Sequence, residues 1–143
     1  MGSFEYLEDE AIADIAFRAY GDDLQDLFYH AAMATANLQT DINLLPRDEQ
    51  RDIHIHKSDI DRLLKAFLDE ILFYKDAELI FAVDFEVHIE KTVDGYLLDG
   101  KLIGGKFDYD IHPMHTDLKA ITWHDFKVTK SDAGWQCYVL IDI

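Results

Sequence analysis

The clearest structural pattern of the chain lies in residues 134–143, which read GWQCYVLIDI. From Trp135 to Ile143 apolar side chains recur at every second position, the pattern of a β-strand with one apolar face. The alternation continues to the final residue, although chain ends usually fray in water. A strand here places the side chain of Asp142 beside the carboxylate that follows Ile143. Two negative groups so close raise the question of what holds them there.

A second predicted strand, over residues 13–20, carries an aspartate in the same kind of position. Its apolar side chains share one face, and Asp14 lies on the other, as Asp142 does in the last strand. If the two strands are neighbours, the two carboxylates meet. Like charges that close repel each other, and a hard divalent ion bound by oxygen ligands would relieve the repulsion. The alternative is two solvated surface aspartates, and spacing alone favours that alternative.

The rest of the chain predicts two long amphipathic helices and several further strands. One helix covers residues 24–38, and the second runs from an N-cap at Ser58 to about Tyr74. Further strands are predicted at 4–7, 52–56, 83–89, 96–103 and 118–129, the last forming a hairpin with 135–143. The segment VDGY at 93–96 predicts a hairpin with a type I′ turn. The fold class is therefore α+β, with mainly antiparallel strands and the two helices packed on them in a single domain over 1–143.

Composition and charge limit the possible partners. The chain has 143 residues and a formal net charge of −16, and residues 1–50 hold 11 acids against only Arg18 and Arg47. Such a surface repels phosphate backbones, so tight direct nucleic-acid binding is disfavoured, and cations or basic protein surfaces are favoured. No apolar run is long enough for a membrane span. The single cysteine, Cys137, excludes an internal disulfide, is predicted to be a small buried hydrophobe, and fits a reducing, cytoplasmic setting.

The histidines are the other candidates for chemistry. His54 and His56 share a strand face, and His112 and His115 flank a proline. Either pair could ligate a transition metal, but neither has partners at a recognisable spacing, which favours surface or hydrogen-bonding histidines. The sequence contains no nucleophile elbow, Walker loop or His-Glu-x-x-His motif.

Motifs along almost the whole chain resemble those of the archease family. They are FEYLE, ADIAFRAYG, LQDLFYHAAMATANLQTD, LLKAFLDEILF, GKFDYDIH, LKAITWHDF and the terminal VLIDI, in that order. The resemblance implies an archease-like α+β fold. It also implies an accessory protein, not itself an enzyme, that activates the GTP-dependent RNA-splicing ligase, which joins tRNA exon halves. The expected action is to promote guanylylation of the ligase's catalytic histidine and multiple turnover.

The resemblance also implies a set of site residues. A divalent ion, often calcium in the family and with magnesium or manganese as alternatives, would be held by Asp14, Asp41, Asp142 and the terminal Ile143. Lys119 matches a family lysine linked to activity. The alternative is that a lysine at the start of a strand only discourages another chain from pairing with the sheet edge. A cation would then answer the question of what gathers the carboxylates at the chain end.

The sequence departs from the family pattern at the first site. Archeases usually read His-Thr-Ala-Asp-Ile there, whereas residues 11–15 read Ala-Ile-Ala-Asp-Ile, so the aspartate is kept and the His-Thr pair is replaced. Likewise, Gln39 stands where the family usually has methionine before Thr-Asp. Two rival functions are a metal-dependent hydrolase, which would need open metal positions and a general base, and a chaperone-like binding module without metal.

Overall fold

The computed structural model describes residues 1–7 and 14–143. In chain order the strands are β1 Ser3–Leu7, β2 Asp14–Gly21, β3 Glu49–Lys57, β4 Ile80–Thr92, β5 Gly95–Lys106, β6 Ala120–Ile121, β7 Lys127–Ser131 and β8 Gly134–Asp142. The helices are α1 Leu24–Gln39 and α2 Ile60–Glu78, with a short 3-10 turn over Ile42–Leu44. The strand pairs are antiparallel, so the predicted α+β class with two long helices is confirmed.

The strands form two sheets. One contains β1, β2 and β8 in that order, and β6 and β7 share the other edge of β8. The second sheet has the order β3-β5-β4. Each helix contacts both sheets. One apolar core therefore contains residues from both helices and both sheets, among them Phe17, Phe28, Phe67, Phe85 and Val139.

The predicted strand over 118–129 is wrong in its middle. The chain pairs with β8 at Ala120–Ile121, leaves it, and pairs again from Lys127. Between these strands the Phe126 N–H donates to the Trp123 carbonyl, and Asp125 has a left-handed φ of 51°. Aspartate tolerates that conformation better than most residues do, which permits the turn.

Three local expectations also need correction. The N-cap of α2 is Asp59, whose side chain accepts from the Arg62 N–H at 2.9 Å, rather than Ser58. The helix extends past Tyr74 to Glu78. The hairpin between β4 and β5 forms as predicted, with Thr92 opposite Gly95. Its turn is not type I′, because that turn needs a positive φ at both loop residues, and neither Val93 nor Asp94 has one. The positive φ of this hairpin, 158°, is at Gly95.

Within the described residues, neither helix combines the length and the apolar composition that a membrane span requires.

Candidate functional site

The pairing of β2 with β8 brings Asp14 directly opposite Asp142. Eight consecutive residue pairs join the two strands, from Asp14 with Asp142 to Gly21 with Trp135. Residues directly opposite each other project from the same face of a sheet. Ile141, the neighbour of Asp142, is fully buried, so the aspartate pair projects from the face away from the core. The two strands are therefore neighbours, as the interpretation of these carboxylates required.

The aspartate pair lacks a compensating charge in the described structure. Both residues are half-buried, and within residues 1–7 and 14–143 neither forms an ion pair with a lysine, arginine or histidine. Residues 8–13 contain no basic side chain. Like charges directly opposite in an antiparallel pair destabilise a sheet. Within the described residues, the like charges of this pair are therefore not offset by an ion pair.

Lys119 adjoins the same pair from the other edge of β8. Its backbone N–H donates to the Asp142 carbonyl at 2.8 Å, and the next residue, Ala120, pairs with Asp142 in the sheet. Asp142 therefore lies between Asp14 on one side and the start of β6 on the other. The Lys119 side chain is exposed and is available to a molecule that docks at this end of the sheet.

Asp41 lies at the same end of the domain. Helix α1 returns alongside β2, and its 16 residues span about 24 Å while the eight residues of β2 span about 26 Å. The end of α1 is therefore level with Asp14. Asp41 is half-buried, and its carboxylate accepts from the Asn43 N–H at 3.1 Å.

The described side chains do not converge as a complete metal site. In residues 1–7 and 14–143 no group of three or more His, Cys, Asp or Glu side chains is arranged to hold a metal ion. The structure thus brings Asp14 and Asp142 together and leaves Asp41 outside a closed ligand group. The residues that replace the His-Thr pair, Ala11 and Ile12, lie outside the described residues, as does Ala13.

The segment before Lys119 is held by hydrogen bonds to both helices. The N–H groups of His115 and Thr116 donate to the carbonyls of Gln39 and Leu38, at 3.0 and 3.1 Å. These bonds satisfy carbonyls in the last turn of α1, which have no partner within the helix. Two residues later, the ammonium of Lys75 on α2 donates to the Leu118 carbonyl at 2.6 Å.

The burial of two polar residues in this region was not predicted from the sequence. Lys75 is only 4% exposed, and its ammonium also lies 2.7 Å from Asp117. Gln39 is fully buried, and neither its amide nitrogen nor its amide oxygen has a hydrogen-bond partner among the described residues. The only sequence signal for Lys75 was its helical spacing, since it follows the apolar Ile71 and Leu72 by four and three positions.

Three of the four candidate histidines make side-chain hydrogen bonds or ion pairs, as favoured from the sequence, and the fourth, His115, is exposed. His54 Nδ1 lies 2.5 Å from Asp99 across the strand pair, and His56 Nε2 lies 3.2 Å from Asp94. His112 Nδ1 accepts from a backbone N–H of its own loop at 2.9 Å.

Cys137 is 2% exposed, and burial raises the pKa of its thiol to about 12. The prediction of a small buried hydrophobe is confirmed.

Comparison with known proteins identifies relatives over nearly the whole chain. The model of the Archease protein family matches residues 4–143. A protein archease of Pyrococcus abyssi is 38% identical over 135 residues, covering 94% of this chain and 95% of the relative. A protein archease of Methanopyrus kandleri is 35% identical over 136 residues, covering 95% of this chain and 97% of the relative.

Solved structures agree with the fold. The solution structure of Protein 1598 from Methanobacterium thermoautotrophicum superposes with a TM-score of 0.85 at 34% identity, and covers 98% of both chains. A crystal structure from Thermotoga maritima, described as an archease and possible chaperone, has a TM-score of 0.58 at 15% identity and covers 96% of both chains. That second likeness concerns the fold alone.

Proposed function

Since the chain belongs to the Archease protein family, we propose that it is an accessory protein that activates a GTP-dependent RNA-splicing ligase. Its proposed role is to promote guanylylation of the ligase and so permit multiple turnover. The observation that carries the proposal is the placement of Asp14 opposite Asp142, uncompensated among the described residues, with the Lys119 backbone bonded to Asp142.

The carboxylate pair fits a hard divalent cation. Calcium and magnesium both prefer oxygen ligands, and two facing carboxylates supply such oxygens together with two negative charges. Asp14 and Asp142 would hold the ion, with Asp41 and the carboxylate following Ile143 as the further proposed ligands. A bound ion would supply positive charge at this end of the sheet and remove the repulsion between the two aspartates.

Lys119 and the acidic surface would serve the partner. Nucleotidyl transfer to a histidine depends on positioning and on neutralising phosphate charge. The exposed Lys119 lies where its side chain could contact a phosphate in the partner's site. The net charge of −16 favours encounter with the basic surface that a ligase needs for RNA. In this proposal the chain binds and positions groups in its partner and carries out no covalent step itself.

The decisive experiment is a ligase assay with GTP and an RNA pair under multiple-turnover conditions. Wild-type protein should accelerate formation of the guanylylated ligase. Asp142→Asn and Lys119→Ala should each lower this stimulation, whereas the exposed acid Glu90→Ala should retain it as the matched surface control. If Asp142→Asn and Lys119→Ala stimulate like wild type, the proposed site is wrong. If wild type gives no stimulation, the activator proposal fails and the binding-module alternative replaces it.

The ion is tested separately from the ligase. A ligand that binds only the folded state stabilises it by about 2.7 kcal/mol at 100 times its Kd. Calcium or magnesium should therefore raise the melting temperature of wild type, and Asp14→Asn or Asp142→Asn should lose most of that rise. Without ions, the same variants should be at least as stable as wild type, because each removes one of two facing charges. An unchanged ion response in both variants contradicts the proposed ligands.

A further inference from the structure

Lys75 is a buried cation with no part in the carboxylate pair. It lies near the end of α2, and its ammonium lies 2.7 Å from Asp117 Oδ1, 2.6 Å from the Leu118 carbonyl and 3.0 Å from Asp76 Oδ1. The ammonium donates to Asp117 and to the Leu118 carbonyl and forms a further ion pair with Asp76. Both aspartates are exposed, so the oxygen that needs this partner is the Leu118 carbonyl rather than either carboxylate.

The peptide unit between Leu118 and Lys119 is held at both of its polar ends. Its carbonyl accepts from the Lys75 ammonium at 2.6 Å, and its N–H donates to the Asp142 carbonyl at 2.8 Å. A hydrogen bond to a charged group is stronger than one between neutral groups, and successive hydrogen bonds polarise one another. The ammonium therefore strengthens the peptide N–H as a donor to Asp142.

The strand that follows is short and is fixed by hydrogen bonds on both sides. Strand β6 contains only Ala120 and Ile121, and beyond it the N–H and the hydroxyl of Thr122 both donate to the Leu140 carbonyl of β8, at 3.0 and 2.9 Å. Before it, residues 107–119 form no helix or regular strand. Thr122 thus fixes the end of the strand, whereas the peptide unit held by Lys75 fixes its entrance, where Lys119 meets Asp142.

From this geometry we infer that Lys75 is the positioning residue that places Lys119 beside the Asp14–Asp142 pair. Helix α2 thereby reaches the proposed site through a single peptide unit. The functional part of this inference rests on the proposed ligase activation, but the structural part does not. The two parts are therefore measured separately.

The structural part is tested by amide hydrogen exchange on Lys75→Met, whose side chain has a similar length and no charge. The Lys119 amide should exchange roughly tenfold faster or more, since it loses a charge-assisted network. The Phe28 amide in α1 reports global opening and should change much less. Arg62→Met is the matched control, because Arg62 lies on the same helix and its side chain pairs with Asp59 and Ser58 at the other end of that helix. It should leave the Lys119 amide unchanged.

A second variant separates the charge from the packing. Lys75→Arg keeps a cation with several donors and should restore much of the protection of the Lys119 amide that Lys75→Met loses. If Lys75→Met leaves that amide as protected as in wild type, the inference is overturned. It is also overturned if the Lys119 and Phe28 amides lose protection equally, because Lys75 would then support only the global fold.

The functional part is tested in the ligase assay with a double variant. Lys75→Met should lower stimulation at a temperature where its fold is intact, and Lys75→Met with Lys119→Ala should stimulate no less than Lys119→Ala alone. Additive losses would show that Lys75 does not act through Lys119. If the wild-type protein does not stimulate the ligase, the proposed function is refuted. The positioning role of Lys75 is then decided by the amide-exchange experiment alone.

Discussion

Replacing Gln39 by methionine should stabilise the protein. Gln39 is fully buried at the end of α1, and both polar atoms of its amide lack partners among the described residues. Leaving a buried polar group unsatisfied costs about 1–3 kcal/mol. Methionine has a similar length and no hydrogen-bonding requirement. Gln39→Met should therefore raise the free energy of unfolding by about 1–3 kcal/mol, and the melting temperature by about 3–10 °C for a chain of this size.

The assay is urea unfolding at pH 7 together with a thermal scan, on wild type and two variants. Gln25→Met is the matched control, because Gln25 lies on the same helix but its amide oxygen accepts from the Ile89 N–H at 2.9 Å. Removing that hydrogen bond should cost about 0.5–1.5 kcal/mol. The same replacement of glutamine by methionine should thus stabilise the protein at position 39 and destabilise it at position 25. A urea slope equal to that of wild type would show that the change lies in stability.

The opposite result at position 39 would refute the reasoning. If Gln39→Met is neutral or destabilising with an unchanged urea slope, the buried amide is satisfied in solution. If Gln39→Met is more stable but no longer stimulates the ligase, the buried amide supports the activity at the expense of stability.

Two further predictions concern charge. Burial alone would raise the pKa of Asp84, but hydrogen bonds from the Phe85 N–H, Arg47 and Tyr29 outweigh it and hold the pKa below its ordinary value of 3.8. The ionised Asp84 therefore stabilises the fold above pH 3.8, and this stabilisation is lost as the pH falls through the lower folded-state pKa. Between pH 5 and pH 3 the urea midpoint of Asp84→Asn should consequently fall less than that of wild type. Equal falls would contradict this prediction. The isolated protein, with its charge of −16, should bind tRNA weakly in a filter assay even at low salt, and tight, salt-sensitive binding would show that an RNA-binding surface was missed.

Both helices and most strands of the fold followed from local patterns, and so did the outward placement of Asp14 and Asp142. Period-two alternation placed Asp14 and Asp142 on the outer faces of two strands, and the structure makes those strands neighbours. The choice of N-cap for α2 was beyond local reasoning, because Ser58 and Asp59 are adjacent and both are favoured capping residues. The bonds that select Asp59 depend on where the helix begins in three dimensions.

Long-range contacts explain what the sequence could not reveal. Lys75 meets Leu118 across 43 positions of the chain, so its buried environment is visible only in the folded structure. Gln39 ends a helix that local patterns predict well, yet its burial depends on what packs around the last turn. Likewise, the turn at Asp125 interrupts the segment 118–129, which was predicted to be one continuous strand.

The register of β8 fixes the position of Asp142 relative to Asp14. Eight consecutive pairs join β2 to β8, and the inner face of β8 buries Cys137, Val139 and Ile141 almost completely. A slip of one residue would exchange the two faces and bring Asp142 into the core. The core therefore fixes Asp142 on the outer face opposite Asp14, and the repulsion between them cannot be relieved by a small shift of the strand. Asparagine at either position would remove one charge and leave the core unchanged, so the comparison of Asp14→Asn and Asp142→Asn with wild type tests whether the proposed cation needs both charges.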